Sequence, residues 1–331
     1  MTPAAPGLRL DDPELEAAVR KGLEAVEDLL QTSVASRHAF VTEIARHLID
    51  AGGKRVRPLL VLLAAAAGGG PDPDAHRVVQ AAVTVELTHL STLYHDDVID
   101  EAPLRRGVAS ANARWGNTLA VCGGDFLFAR AAGITADLGP EPTRILAATI
   151  AELCEGEMRE SVGPQGDEDA VEHHLSVLKE KTGSLLATSC RLGVLLSGGS
   201  EPDAQVLAEF GMRYGVAFQL SDDLIDLLSD SAESGKTPGT DLREGVATLP
   251  VLLARRAGVG GRLGELLAGP VADGDLSEAL ALLRAHPAMG EARAVLAQWA
   301  ADASAGLAAL PPSPAVEALS SLASFVVTRA A

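Results

Sequence analysis

This sequence predicts an all-α fold, and three observations carry that reading. Ala, Leu, Glu and Arg recur at helical spacing almost throughout, and Val and Ile seldom alternate with polar residues as half-buried strands require. The breaks between apolar segments are short Gly, Pro and Asp punctuators. In chain order, helices are expected over 13–31, 37–51 and 55–68, ending at GGGPDPD (68–74). A long apolar helix over 73–99 follows, then 109–138 up to GPEP (139–142) and 141–162 up to GPQGDED (163–169). Segments 168–181 and 184–198 lead to SGGSEPD (197–203), and 203–229 is a second long apolar helix. The chain finishes with 246–257, 273–285, 290–308 and 313–329. Its 331 residues are about twice the soft prior for one domain. None of the breaks is a linker, however, and no solenoid period occurs. One large helical bundle, a single domain over 1–331, fits better than two domains.

Composition narrows the function. Hydrophobic residues at 47% and charged residues at 22% supply a sizeable core and exclude a disordered or collagen-like chain. The 27 basic against 45 acidic side chains leave −18, the wrong sign for neutralising a phosphate backbone, so no nucleic acid partner is expected. Three widely spaced cysteines, Cys122, Cys154 and Cys190, offer neither a disulfide framework nor a zinc ribbon. They read as small buried hydrophobes, and a cytoplasmic location fits. The opening MTPAAPGLRLDDPELEAAV lacks a basic n-region and hydrophobic core, so no export is expected. The longest fully apolar run, Leu59 to Ala67, falls short of the ~20 residues of a spanning helix. A soluble protein is therefore expected.

The two long apolar helices end alike, in Asp96-Asp97-Val98-Ile99-Asp100 and Asp222-Asp223-Leu224-Ile225-Asp226. Both read D-D-x-x-D. On a helix, residues i and i+4 share a face, so Asp96 projects with Asp100 and Asp222 with Asp226. Such like-charged pairs cost a helix roughly 0.2–0.5 kcal/mol, and their apolar flanks, HLSTLY and YGVAFQLS, are not those of a solvated surface. A cation should sit between them. One or two carboxylates, with phosphate and water completing an octahedron, is the usual protein contribution to Mg²⁺ binding. One such motif alone is weak; two matched copies are specific.

Basic residues supply the anion side. Gly52-Gly53-Lys54-Arg55-Val56-Arg57-Pro58 sets two glycines and three cations at a turn before a helix, where backbone N–H groups and guanidinium forks can hold phosphate. Read alone, a helix C-cap followed by surface arginine is the likelier account. Arg105-Arg106-Gly107 follows the first acidic motif, and Lys179, Lys181 and Lys236 are further candidates that acquire meaning only if they converge.

These residues resemble the trans-isoprenyl diphosphate synthases, the polyprenyl synthetase family. The resemblance runs in order through GGKRVRP (52–58), HLSTLYHDDVIDEAPLRRG (89–107), GGDFLFARA (123–131), EGEMRE (155–160), LKEKTGSLLATSC (178–190), FQLSDDLID (218–226) and GKTPGTDLREGVATLP (235–250). The terminal SFVVTRAA is similar to the ends of long-chain members. The resemblance implies an isoprenoid synthase bundle around a deep central cavity, usually homodimeric, with the acidic motifs facing across its mouth. It implies about three Mg²⁺ ions linking Asp96, Asp100 and Asp222 to an allylic diphosphate, with Asp97, Asp223 and Asp226 in support. Arg105, Lys181 and Lys236 match positions that grip that diphosphate. Lys54, Arg57, His89 and Arg106 match those holding isopentenyl diphosphate without metal. Thr182 and Gln219 match groups whose oxygens face the allylic cation, and Phe218 lies where the homoallylic substrate packs. Two departures stand out: Val246 where the family usually has Lys, and Glu160 where it often has Gln.

The implied reaction is ionisation of the allylic ester, attack by the isopentenyl double bond and loss of a proton, with no side-chain nucleophile. In agreement, the chain offers no G-x-S-x-G, Cys/His pair or dinucleotide fingerprint. Three rivals are weaker. A class I terpene cyclase normally carries an Asn/Ser/Glu triad where Asp222 and Asp226 stand. A di-metal redox bundle is suggested by one E-x-x-H, Glu86 to His89, where two are needed. A non-catalytic partner subunit would commonly lack intact acidic motifs. His173-His174 reads as surface rather than ligand. Product length is expected to depend on Ser91 and Thr92, one helical turn (about 5.4 Å) before the first acidic motif. Their small side chains leave a tunnel open for a heptaprenyl to nonaprenyl product, able to partition into membrane. Geranylgeranyl diphosphate is the alternative if Phe126 or Phe128 closes the tunnel further down.

Overall fold

The computed structural model describes residues 10–69, 75–228 and 238–330, and among them almost all regular structure is helical. The elements are α1 (Pro13–Ser33), α2 (Ala39–Asp50), α3 (Val56–Gly68), α4 (Ala75–Ile99), a hairpin of β1 (Leu104–Arg105) and β2 (Val108–Ala109), α5 (Ala111–Trp115) and α6 (Asn117–Leu138). After α7 (Pro140–Val162), α8 (Ala170–Leu178) runs through a π-helical turn (Lys179–Gly183) into α9 (Ser184–Leu196), followed by α10 (Glu201–Leu228). Then come α11 (Thr240–Glu244), α12 (Leu249–Arg256), α13 (Gly261–Leu266), α14 (Leu276–Ala285), α15 (Pro287–Gly306) and α16 (Pro314–Thr328). The chain forms two compact units, one made of the residues up to Ala151, Leu185–Gly211 and Leu307–Leu319, the other of Glu152–Ser184, Met212–Gly306 and Ser320 onward.

In the first unit α4 is the central helix. Its residues 81–88 are buried without interruption, as a helix apolar on every side must be, and α6, α3 and α1 pack around it. Leu48, Leu59, Leu60, Leu63, Leu87, Leu90 and Leu127 are fully enclosed, each worth about 1.5–3 kcal/mol relative to exposure. Tyr94 is fully enclosed as well, and its hydroxyl donates to the Ile44 carbonyl at 2.5 Å, tying α4 to α2. Gly123 and Gly124 admit the close approach of α6: a Cβ on Gly124 would lie 2.4 Å from His95 Nε2, and one on Gly123 2.9 Å from Ile44. By length and composition α6 is apolar enough to cross a membrane, although Asp125 and Arg130 interrupt its apolar run, and about a third of that stretch is buried.

In the second unit α12 packs on α15 and α8, with Leu249, Leu253, Ala292 and Leu296 buried. Ser221 on α10 donates to the Val326 carbonyl at 2.7 Å, holding the end of α16 along α10.

The expected helices are found, with local differences. The segment expected over 109–138 is two helices, because Gly116 at φ 83° ends α5. The one expected over 246–257 starts later, since Gly245 at φ 78° closes α11 first. The β-hairpin was not expected. Its two-residue turn, Arg106-Gly107, has φ 54° and 78°, the positive pair that matches a right-twisted hairpin. Of the cysteines only Cys190 is buried, with its thiol pushed up to about 12 by that burial. Cys122 and Cys154 are exposed, on the outward sides of α6 and α7 beside the buried Gly123 and Leu153.

Candidate functional site

The first unit holds the first acidic motif and a cluster of cations. Asp96 and Asp97 lie on the last turn of α4, and Asp100 follows the helix with its N–H donating to the Asp96 carbonyl at 2.8 Å. Helical spacing is thus kept to the end of the motif. Asp96 is half-buried and Asp100 exposed, while Asp97 turns inward. Its Oδ1 accepts from Arg105 Nε at 2.6 Å and its Oδ2 is buried with no hydrogen-bond partner. Burial raises the Asp97 carboxyl above its ordinary pKa, although Arg105 opposes the shift. Arg105 is therefore held by the motif's middle aspartate, a pairing that sequence spacing did not show.

Beside it, the turn before α3 and the β-hairpin bring arginines together. Arg55, in the left-handed region at φ 50°, is buried: Nε and Nη2 donate to Glu27 at 2.9 and 3.0 Å, and Nη1 donates to Glu86 at 3.0 Å. Arg106 Nη1 donates to the Leu48 carbonyl at 2.8 Å and to that of Gly52. A Cβ on Gly53 would lie 2.9 Å from the Arg106 guanidinium, so the second glycine of the turn leaves the room this arginine occupies. Arg57 has a buried Nε without a hydrogen-bond partner. Its guanidinium is lowered to about 10 by burial, with Glu86 opposing and Arg106 reinforcing the shift. His89 is held well below its ordinary range by burial and then by Arg57, Arg106, Arg105 and Arg55. Lys54 is exposed. Of the isopentenyl-binding candidates Arg57, Arg106 and His89 thus converge, and a neutral His89 among cations is suited to an arriving anion. Glu86 reads as a core ion-pair residue rather than one end of a di-metal motif.

Ser91 and Thr92 divide. Ser91 is fully enclosed, its hydroxyl donating to the Gly124 carbonyl at 2.8 Å, whereas Thr92 is half-buried with its hydroxyl on the His89 carbonyl.

The second unit holds the other motif. Asp223 is buried; its Oδ1 accepts from Gln219 Nε2 at 2.9 Å, and His174 Nε2 stands 3.9 Å from its Oδ2. Burial raises its carboxyl well above the usual carboxylate range; Gln219 opposes this, and Asp241, Asp222 and Glu160 add to it. Thr182 donates to Gln219 Oε1 at 3.4 Å, so Thr182, Gln219 and Asp223 form one chain of contacts. Asp226 caps the start of α11, accepting from the N–H groups of Thr240 and Asp241 at 3.3 and 3.2 Å. Asp222 keeps 40% of its side chain exposed, with Oδ1 2.9 Å from Arg329 Nη1. Arg329 also donates to the Phe218 carbonyl and lies 4.4 Å above the Phe218 ring. Sequence reasoning missed Arg329, which sits outside every quoted block except the C-terminal one.

The π-helical turn places Lys181 and Thr182. Gly156 lets α7 approach closely, since a Cβ there would lie 2.9 Å from Lys181 N. Lys181 Nζ lies between Glu157 and Glu160 at 2.7 and 2.5 Å. Burial lowers its pKa, but Glu160 and Glu157 more than reverse that and leave the ammonium above its ordinary value. The Glu160 departure therefore reaches a candidate diphosphate-binding residue directly. Val246 is exposed, and Lys236 lies outside the described residues. The His173-His174 expectation is corrected. His173 is buried against Glu168 at 2.9 Å, and His174, lowered to about 4 by burial, is largely enclosed, because α8 turns both inward.

Among the described residues no group of three or more His, Cys, Asp or Glu side chains makes a ready cage for a metal. Carboxylate oxygens are hard donors of the kind that suits Mg²⁺, and each unit keeps an acidic-motif carboxylate open to solvent, Asp100 in the first and Asp222 in the second.

A family model for polyprenyl synthetase matches residues 38–282, most of the chain. The chain belongs to the polyprenyl synthetase family. It is a trans-prenyl diphosphate synthase, and its helical fold is that of the isoprenoid synthases. This synthetase is 48% identical over 326 residues to a nonaprenyl diphosphate synthase of Mycobacterium tuberculosis (strain ATCC 25618 / H37Rv), covering 98% of this chain and 97% of that one. It is 40% identical to a dimethylallyltranstransferase of the same organism over 98% of each chain. Among solved structures, a geranylgeranyl pyrophosphate synthase from Corynebacterium glutamicum, complexed with calcium and isoprenyl diphosphate, superposes with a TM-score of 0.86 at 43% identity over 97% of this chain and 99% of that one.

Proposed function

We propose that this synthetase condenses isopentenyl diphosphate repeatedly onto an allylic diphosphate, in the presence of Mg²⁺, to give a heptaprenyl to nonaprenyl product. The observation that carries the reading is the gathering of Arg57 and Arg106 about His89 on the side of α4 where Arg106 reaches Glu86, a cluster of cations able to hold a diphosphate without metal. There the diphosphate of isopentenyl diphosphate binds, with Lys54 at the exposed edge. Asp96, Asp100 and Asp222 would hold the metal ions for the allylic diphosphate, with Asp97, Asp223 and Asp226 in support of the metals or their waters. Bound Mg²⁺ supplies the charge that stabilises the departing pyrophosphate. Thr182 and Gln219 present oxygens to the allylic cation, Phe218 packs against the homoallylic substrate, and the proton released on condensation leaves with pyrophosphate. Lys181, freed from Glu157 or Glu160, grips the allylic diphosphate with Arg105 and Lys236.

A long product is supported by 48% identity to a nonaprenyl diphosphate synthase and by the small Thr92 side chain one turn before Asp96. The geranylgeranyl alternative is favoured by the 43% identical relative of that activity. The chain acts as one synthase domain, a reading supported by the alternation along the sequence of segments from the two compact units. It works as a homodimer, supported by the exposed apolar Leu119 and Val121 on α6. Incubation of the purified chain with labelled isopentenyl diphosphate and primers of several lengths, with products resolved by size, tests the assignment. Heptaprenyl or longer products are expected; products ending at geranylgeranyl support the alternative, and none longer than farnesyl refutes the open tunnel.

A further inference from the structure

Glu86 stands in the most apolar stretch of α4, between Val85 and Leu87, and only 2% of its side chain is exposed. A carboxylate in such a place costs several kcal/mol unless it is paired and hydrogen-bonded. Here it meets two different segments. Its Oε1 accepts from Arg55 Nη1 at 3.0 Å and lies 3.8 Å from Arg106 Nη2. Arg55 belongs to the glycine turn before α3, and Arg106 to the β-hairpin turn. Arg55 occupies a backbone conformation with positive φ, 50°, that side-chain-bearing residues rarely adopt, so something in the fold must hold it there, whereas the 54° of Arg106 is set by its hairpin turn. The other contacts of Arg106 are carbonyls of Leu48 and Gly52, which orient it but offer no counter-charge. Glu86 is three residues before His89, hence on the same side of α4 as the anion pocket.

We propose that Glu86 is a positioning residue for isopentenyl diphosphate: its one buried carboxylate ties the glycine turn and the hairpin turn to α4, and so sets the face formed by Arg57, Arg106 and His89. The inference rests on the reading of that face as the isopentenyl site. A purely electrostatic role has the opposite sign, since a negative charge behind an anion pocket repels the ligand and its removal would tighten binding. A purely structural role would lower stability without separating the two substrates.

The test compares the full-length wild type with Glu86→Gln, Arg57→Ala and the double variant Glu86→Gln/Arg55→Gln, reading KM for each substrate, kcat and thermal midpoint. Glu86→Gln is expected to raise the isopentenyl KM about tenfold or more, the scale of one lost charge-assisted contact, with the allylic KM within about twofold. The double variant also removes the two hydrogen bonds of Arg55 to Glu27, so it is expected to lose further thermal stability while keeping the raised isopentenyl KM. If Glu86→Gln does not fold, Glu86→Asp, which keeps the charge but shortens its reach to both arginines, carries the test through the same rise in isopentenyl KM. An unchanged or lowered isopentenyl KM in Glu86→Gln overturns the proposal, as does restoration of that KM in the double variant. If Arg57→Ala leaves the isopentenyl KM unchanged, the reading of the pocket itself fails; if it raises that KM while Glu86→Gln does not, the failure belongs to Glu86 alone.

Discussion

Arg57→Lys turns the electrostatics of the isopentenyl pocket into a pH profile. In the folded chain the Arg57 guanidinium falls from 12.5 to about 10, through burial first and the neighbouring Arg106 further on, with Glu86 in opposition. It remains charged across the neutral range. A lysine ammonium, ordinarily about 10.4, placed in the same surroundings is pushed down by the same burial and the same neighbouring arginine. The substitution keeps a cation at pH 7 while losing the guanidinium fork, which costs about 1–2 kcal/mol, or roughly 5- to 30-fold in the isopentenyl KM. Between pH 7 and pH 9 that KM should then climb further in the variant, as the ammonium empties. The wild-type KM should stay nearly flat over the same range, and the allylic KM should follow the same curve in both proteins. Steady-state kinetics with one substrate saturating at each pH supplies the curves. Parallel isopentenyl profiles in the two proteins, or a pH-dependent change confined to the allylic KM, would refute both the pocket and the cause assigned to its depressed arginine.

Three further outcomes follow from side-chain surroundings. Thr92→Phe, at a half-buried position one turn before Asp96, should shorten the product as read by chromatography. Ser91→Phe should instead lower stability by about 1–3 kcal/mol, because Ser91 is enclosed against Gly124; an unchanged product in Thr92→Phe would place the floor elsewhere. Arg329→Gln releases Asp222 Oδ1 from its 2.9 Å ion pair and should lower the Mg²⁺ concentration for half-maximal rate about 2- to 5-fold, the scale of a partly exposed pair. An increased Mg²⁺ requirement would show that Arg329 assists the metal rather than competing with it.

The helices and the acidic motifs were legible because both are local patterns. Periodicity marked α4 and α10, and the spacing of Asp96 to Asp100 survives even where α4 ends at Ile99. The hairpin was not legible, since two residues per strand give no alternation, and its signal was the Arg106-Gly107 pair alone. Glu86 was visible as an acid in an apolar run, but its partners lie 31 and 20 positions away, at Arg55 and Arg106, and no spacing rule connects them. Likewise the grip of Glu157 and Glu160 on Lys181 joins α7 to a π-helical turn, a local irregularity that helical periodicity hides. Arg329 reaches Asp222 from the last turns of the chain, and only the packing of α16 along α10 reveals it.

The central claim is that this chain joins two diphosphate substrates rather than consuming one. Its most direct test measures pyrophosphate released and labelled isopentenyl diphosphate incorporated, in the same vessel, by the purified chain with an allylic primer, with Mg²⁺ and then with EDTA. One pyrophosphate per isopentenyl unit incorporated is expected, with both falling to background in EDTA and returning on addition of Mg²⁺. Pyrophosphate or hydrocarbon formed from the allylic substrate alone, with isopentenyl diphosphate left untouched, would contradict it.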